Sequence, residues 1–206
     1  LSGEAGAPRR AFVRALGENL AKKTGQLHDM WAGNALAAEL ERAGQGSQVF
    51  GTQTYTLGLL LNRLVFVLET AADTWLGKLL GARSGGVPVP GEEIARRSDQ
   101  SLVDLVRVVQ GVGNVLRGRS PEGSGISVYG LIKLRNGTLA ERLRGAIDAA
   151  VNALLAIPPP LRTAVFTAKH IVEGARTRIL ELYRFIATEL TGVFAVSLTF
   201  TANDGD

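Results

Sequence analysis

Between Thr52 and Leu80 the residues are apolar nearly all the way round a helix: Leu57, Leu60, Leu61, Leu64, Val65, Leu68, Trp75, Leu76 and Leu79. A helix of that kind is covered on several sides, so the rest of the chain has to supply its neighbours. Its most apolar part, Leu57 to Leu68, is interrupted by Gly58, Asn62 and Arg63 and is shorter than the ~20 residues a bilayer span requires. The expectation is a core helix and no transmembrane segment.

Helical spacing continues on both sides. The first helix opens at Pro8, a residue suited to a first helical turn, and carries Phe12, Leu16, Leu20, Leu27 and Trp31 on one face. Gly33-Asn34 interrupts it, and Asn34 to Ala43 reads as a short continuation. A polar, glycine-bearing break follows at Gly44 to Gln48. After the long apolar helix, Gly81 to Gly91 is a loop in which Gly85-Gly86, Pro88 and Pro90 block helix continuation.

Ser101 reads as the cap of a third helix, with Asp104 completing the capping box. The stripe Leu102, Leu105, Val106, Val109, Val112 and Leu116 follows it. A fourth helix runs from Ser127 to Ile157, disturbed at Asn136-Gly137, with Leu131, Leu134, Leu139, Leu143, Ile147, Val151 and Leu154 on its face. Pro158 to Pro160 end it. A fifth helix then carries Leu161, Val165, Val172, Ile179, Leu182, Ile186 and Leu190 and finishes at a Gly192 cap. Gly58, Gly145 and Gly174 inside helices are expected to be close helix crossings.

The fold class is therefore all-α. Residues 49–206 are expected to form a long up-and-down four-helix bundle. Residues 1–48 are expected to be helices left over from an incomplete second, N-terminal bundle, because the first helix has an apolar face with nothing assigned to cover it. The first residue is Leu and no signal peptide stands in the sequence, so the natural start is expected to have been removed.

Composition excludes several chemistries. With no cysteine, the 206 residues hold no disulfide, thiolate metal site or cysteine nucleophile. The two histidines, His28 and His170, exclude a multi-histidine cage and give no Ser-His-Asp set. The net charge of +4 is spread along the chain and interleaved with acids, unlike the basic stripe of a nucleic-acid binder.

Candidate site residues are few. His170 and Glu173 share a helix face, but His170 falls opposite the apolar stripe and is expected to face solvent. His28 beside Asp29 reads as a hydrogen-bonded boundary histidine. Arg97, Ser98, Asp99 and Ser101 admit two readings, caps for the third helix or the rim of a ligand site at an exposed helix start. Asp204 and Asp206 offer oxygens to a hard cation or simply end the chain in solvent.

The segment Arg97-Ser98-Asp99-Gln100-Ser101-Leu102, with its long helix and Gly118, is similar to the Ser-Asp-Asn-Thr/Ser-Leu helix start of imelysin-like proteins. Leu139 to Val165, through the prolines, is similar to that family's later bundle helices. Leu27 and Trp31 match its Leu-x-x-x-Trp helix, and Asn203-Asp204-Gly205-Asp206 resembles its acidic ending, with the Asn displaced. The resemblance runs from about Arg10 to Asp206 and marks the chain as the C-terminal portion of such a protein.

The resemblance implies two four-helix bundles with a functional site between them, export to the periplasm or outer cell envelope, and a link to iron uptake. The family's signature, Gly-x-His-x-x-Glu, lies upstream of the helix that opens this chain. The nearest string here, Ala168-Lys169-His170-Ile171-Val172-Glu173, has Ala for Gly and lies in the other bundle. The leading expectation is a non-enzymatic protein of bacterial iron uptake that binds a metal, a metal complex or a partner at the interface between bundles. No cofactor is assignable within this chain; iron or another divalent metal is left to the complete protein. The expected partners are the missing N-terminal helices, from the same protein or a second chain, and an iron-uptake protein; no nucleic acid is expected. The alternatives are a metallopeptidase whose His/Glu motif lies in a missing upstream segment, and a helical scaffold or adaptor.

Overall fold

A computed structural model describes residues 6–32, 35–120, 123–124 and 127–198. The chain divides into two compact units, Leu1–Thr56 and Leu57–Asp206.

In the first unit, α1 (Ala7–Ala32) has Pro8 in its first turn and α2 (Ala35–Glu41) follows it. Gly33 and Asn34, the expected interruption, lie outside the described residues. After α2 the backbone turns through the left-handed region at Gly44 and Gly46, with φ of 72° and 94°. Glu39 organises that turn. One of its oxygens accepts from the Ser47 hydroxyl at 2.7 Å and from the Gln48 backbone N–H at 2.6 Å. The Ser47 hydroxyl, followed by the Gln48 amide, holds the Glu39 carboxyl below its ordinary value. On α1, Phe12, Leu16, Leu20, Leu27 and Trp31 are 47% to 65% exposed.

The second unit is built on α3 (Gln53–Glu69), which begins in the first unit and continues directly into π turns over Thr70–Gly77. The continuous helix Gln53–Gly77 has 25 residues and is long and apolar enough to cross a membrane by length and composition. That corrects the length limit drawn from Leu57 to Leu68 alone. Here its Leu61, Leu68, Ala71, Ala72 and Leu76 are fully buried in the core, while Leu60 and Phe66 are exposed. The helix is thus covered on one broad side, not all round.

Next come a short 3-10 turn (Pro90–Glu92), α4 (Ser101–Arg117), α5 (Val128–Arg135), α6 (Gly137–Leu155), α7 (Leu161–Thr167) and α8 (Lys169–Arg184). A second π segment, Phe185–Leu190, and α9 (Thr191–Phe194) complete it. Strand structure among the described residues is limited to a two-residue antiparallel ladder, β1 (Arg119–Ser120) with β2 (Gly123–Ser124). α6 packs against α4, α5 and α8, and α8 packs against the first π segment. The all-α class holds.

Phase along the helices decides what is buried. Every stripe residue expected on the fifth helix, from Leu161 to Leu190, is buried, although the helix breaks at Ala168 with no Gly or Pro to mark it. The expected disturbance at Asn136 is a complete break: its side chain caps α6, accepting from the Leu139 N–H at 3.0 Å. The break resets the helical phase. Val128 and Ile132 therefore face the core on α5, while Leu131 and Leu134, assigned to the stripe, are exposed, Leu134 by 87%.

Three smaller expectations are corrected. Gly192 lies inside α9, and Ala195, at φ 50°, takes the left-handed position that ends the helix. Gly145 and Gly174 have open space where a side chain would stand, so neither is a crossing point; Gly58 does meet Val196. The close crossing is instead Gly113, facing Ile147 on α6. The loop after α3 turns at Gly81, whose φ is +86° and whose missing Cβ would stand 2.0 Å from the Val87 carbonyl oxygen, so only glycine fits there.

Candidate functional site

The start of α4 follows a loop that packs on α7 through the Pro90–Glu92 turn. Ser101 does not cap the helix. It is the first helical residue, 1% exposed, and its hydroxyl accepts from the Ala95 N–H at 3.0 Å. Gln100 occupies the cap position and makes no side-chain capping bond. The expected box with Asp104 is therefore absent: the residue spacing was right for a cap, but the helix begins one position earlier. Ser101 instead ties the incoming loop to the helix. The Ser98 hydroxyl donates to the Ala95 carbonyl at 3.2 Å, so both serines close on the same residue.

Asp99 sits at φ 57°, a region few non-glycine residues adopt and one that Asp tolerates. Its carboxylate is gripped by Arg162 of α7: Nη2 donates to Oδ2 at 3.1 Å and Nη1 pairs with Oδ1. That fork joins the helix start to a helix more than sixty residues later. Arg97, two residues before Asp99 in sequence, is exposed. Asp204 and Asp206 lie outside the described residues.

The residue that sequence reasoning missed is Glu93. It is 7% exposed, and its Oε2 is buried with no hydrogen-bond partner among the described residues. A buried oxygen left without a donor costs ~1–3 kcal/mol, and more when charged. Such groups are rare and ask for a missing ligand, water or ion. Its sequence neighbour Glu92 lines an open pocket of about 200 Å³ with Lys78, Arg83, Ser84 and Val89. Nothing in the string Gly91-Glu92-Glu93-Ile94 distinguishes the buried carboxylate from the exposed one.

A second polar cluster forms at the π turns. Arg176 of α8 donates from Nε to the Ala72 carbonyl at 3.0 Å and from Nη2 to Asp73 at 2.5 Å. Gly77 packs beside this group, where a Cβ would stand 3.3 Å from the Ala72 carbonyl oxygen and in ordinary contact with the Arg176 Nε. Nearby, burial pushes the Tyr183 phenol up, and the Glu69 and Asp73 charges add to the shift.

His170 faces solvent as expected, whereas His28, expected at a boundary, is exposed on a helix with no buried side among the described residues. His170 is exposed, and its neighbour Glu173 lies 3.7 Å from Lys169. His28 Nδ1 lies 3.3 Å from the Asp29 carboxylate in an exposed pair. Among the described residues no group of three or more His, Cys, Asp or Glu is placed to hold a metal ion. An ion at Glu93 would need ligands from elsewhere.

A family model described as Imelysin matches residues 2–185. Two solved structures resemble the fold. One is an imelysin peptidase from Bacteroides ovatus, with a TM-score of 0.69, 17% identity, and coverage of 87% of this chain and 50% of that one. The other, described as an iron-regulated protein A precursor from Parabacteroides distasonis, has a TM-score of 0.76 and 16% identity, covering 89% and 55%. This chain thus spans about half the length of each. No curated protein matches it.

Proposed function

The chain belongs to the imelysin family, and on that premise we propose that it is the binding half of an exported cell-envelope protein serving iron uptake. It binds a metal, a metal complex or a partner where the start of α4 meets a second helical body, and in this form it is not an enzyme. The second body is either another part of the same protein or a separate chain. Export and the iron link are carried over from the relative described as an iron-regulated protein A precursor.

The observation that carries this reading is the uncovered side of α1. Phe12, Leu16 and Leu20 are each more than half exposed, and burying such side chains is worth ~1.5–3 kcal/mol apiece. Within the second unit, Glu93 is a separate support for binding, as a buried carboxylate short of a partner among the described residues. Peptidase chemistry needs a Gly-x-His-x-x-Glu motif that these 206 residues do not contain.

The test is calorimetric titration of the protein expressed from its complete gene with ferrous, ferric and zinc ions. Saturable heat with one of them, lost in Glu93→Gln, is the expected result. No heat with any of the three removes the metal from the proposal.

A further inference from the structure

α4 and α6 are drawn together where Gly113 meets Ile147. Beside that crossing an open pocket of about 360 Å³ lies between the two helices. This is at the small end of the usual range for ligand sites, ~300–1,000 Å³. Gln110 and Asn114, one helical turn apart on α4, line it together with Asn152, one turn beyond Asp148 on α6. Each carboxamide presents two N–H donors and a carbonyl acceptor. None of the three is engaged by another side chain among the described residues. Ile147 and Val151 add an apolar patch.

The charges at the pocket are unequal in their availability. Arg117 is committed to Asp148 across the two helices, and its side chain is only 17% exposed. Arg119 also lines the pocket, just past the Gly118 turn that ends α4, and it is exposed. It makes no ion pair within the described residues. Among the described residues the lining therefore offers several paired donors and acceptors, one guanidinium outside any ion pair and no aromatic ring. Adjacent hydroxyl groups satisfy carboxamides in both roles at once, and a guanidinium fork takes a carboxylate through two parallel bonds.

The geometry points to a binding site for a small polyhydroxylated carboxylate, of the sugar-acid class, with its carboxylate on Arg119 and its hydroxyls on Gln110, Asn114 and Asn152. The site is separate from the start of α4 and does not depend on any metal there.

The test is a titration of the chain followed through its side-chain amide signals in ¹H–¹⁵N NMR spectra, with D-glucuronate, D-glucose and acetate as probes. Saturable shifts of the Gln110, Asn114 and Asn152 amides with glucuronate are expected, with glucose and acetate about tenfold weaker or worse. Arg119→Gln lowers glucuronate to the level of glucose, and Asn152→Leu abolishes both, while the backbone spectrum away from the pocket stays unchanged. Both positions are exposed, so neither variant endangers folding. The proposal is overturned by the absence of saturation up to about 20 mM, by acetate binding as well as glucuronate, or by glucose doing so.

Discussion

Gly113 and Ile147 stand so close that a Cβ on the glycine would lie 2.7 Å from the isoleucine Cγ2. That methyl is on a β-branched side chain with little freedom at χ1, so it cannot swing aside. Gly113→Ala is therefore expected to destabilise by ~1–3 kcal/mol through overpacking, against the ~1 kcal/mol that alanine gains over glycine in a helix. Gly145→Ala on α6, where open space surrounds the position, is expected to show the gain alone. Urea unfolding of the two variants separates the effects by sign.

Arg176 holds the π turns from α8 by its bonds to the Ala72 carbonyl and the Asp73 carboxylate. Arg176→Met is expected to cost ~1 kcal/mol, mainly through the carbonyl bond. Asp73→Asn costs less, because both partners are a third or more exposed and solvent screens the pair. Thermal unfolding that ranks the two variants the other way would count against this division.

Glu39 links pH to the turn after α2. Its carboxyl is held below the ordinary value of 4.5 when folded, so the stabilisation is fully present above the ordinary value. It is lost as the pH falls through the lowered one. The Gln48 and Val49 amides, which donate to this carboxylate, are expected to exchange faster with solvent in that acid window. In Glu39→Gln the window disappears. Amide exchange by NMR across pH 3 to 6, a span of about three units, reads both.

Glu93→Met is expected to stabilise the unliganded chain by ~1–3 kcal/mol, since no hydrogen bond is lost and an unsatisfied buried oxygen is removed. The same change is expected to abolish the metal binding proposed above. A lower melting temperature for the variant would mean that the carboxylate already has a partner.

The core was legible because its periodicity survives local breaks. From Leu161 to Leu190 the seven stripe positions all face inward, even though the helix is broken at Ala168 and Phe166 beside it is exposed. Where a break rotates the chain, as at Asn136, the same reasoning put Leu131 and Leu134 on the wrong side. Helix starts were less legible. Ser101 has the spacing of a cap, and only the loop folded back through Ala95 makes it the first buried residue instead. Of the site, Asp99 was singled out only as a cap or rim residue; its left-handed backbone and its partner Arg162 were not legible, because nothing local joins α7 to the start of α4. Glu93 was invisible for the same reason: its burial arises in a loop packed on a distant helix, and no spacing rule describes that.

The uncovered side of α1 is the feature on which the proposed interface stands, and hydrogen–deuterium exchange tests it most directly. The amides of Phe12 to Trp31 are to be compared in this 206-residue chain alone and in a longer form or complex that carries the proposed second helical body. Fast exchange in the chain alone and strong protection in the fuller assembly is the expected result. Equal, rapid exchange in every sample would show that nothing covers Leu16 and Leu20, and would contradict the interface.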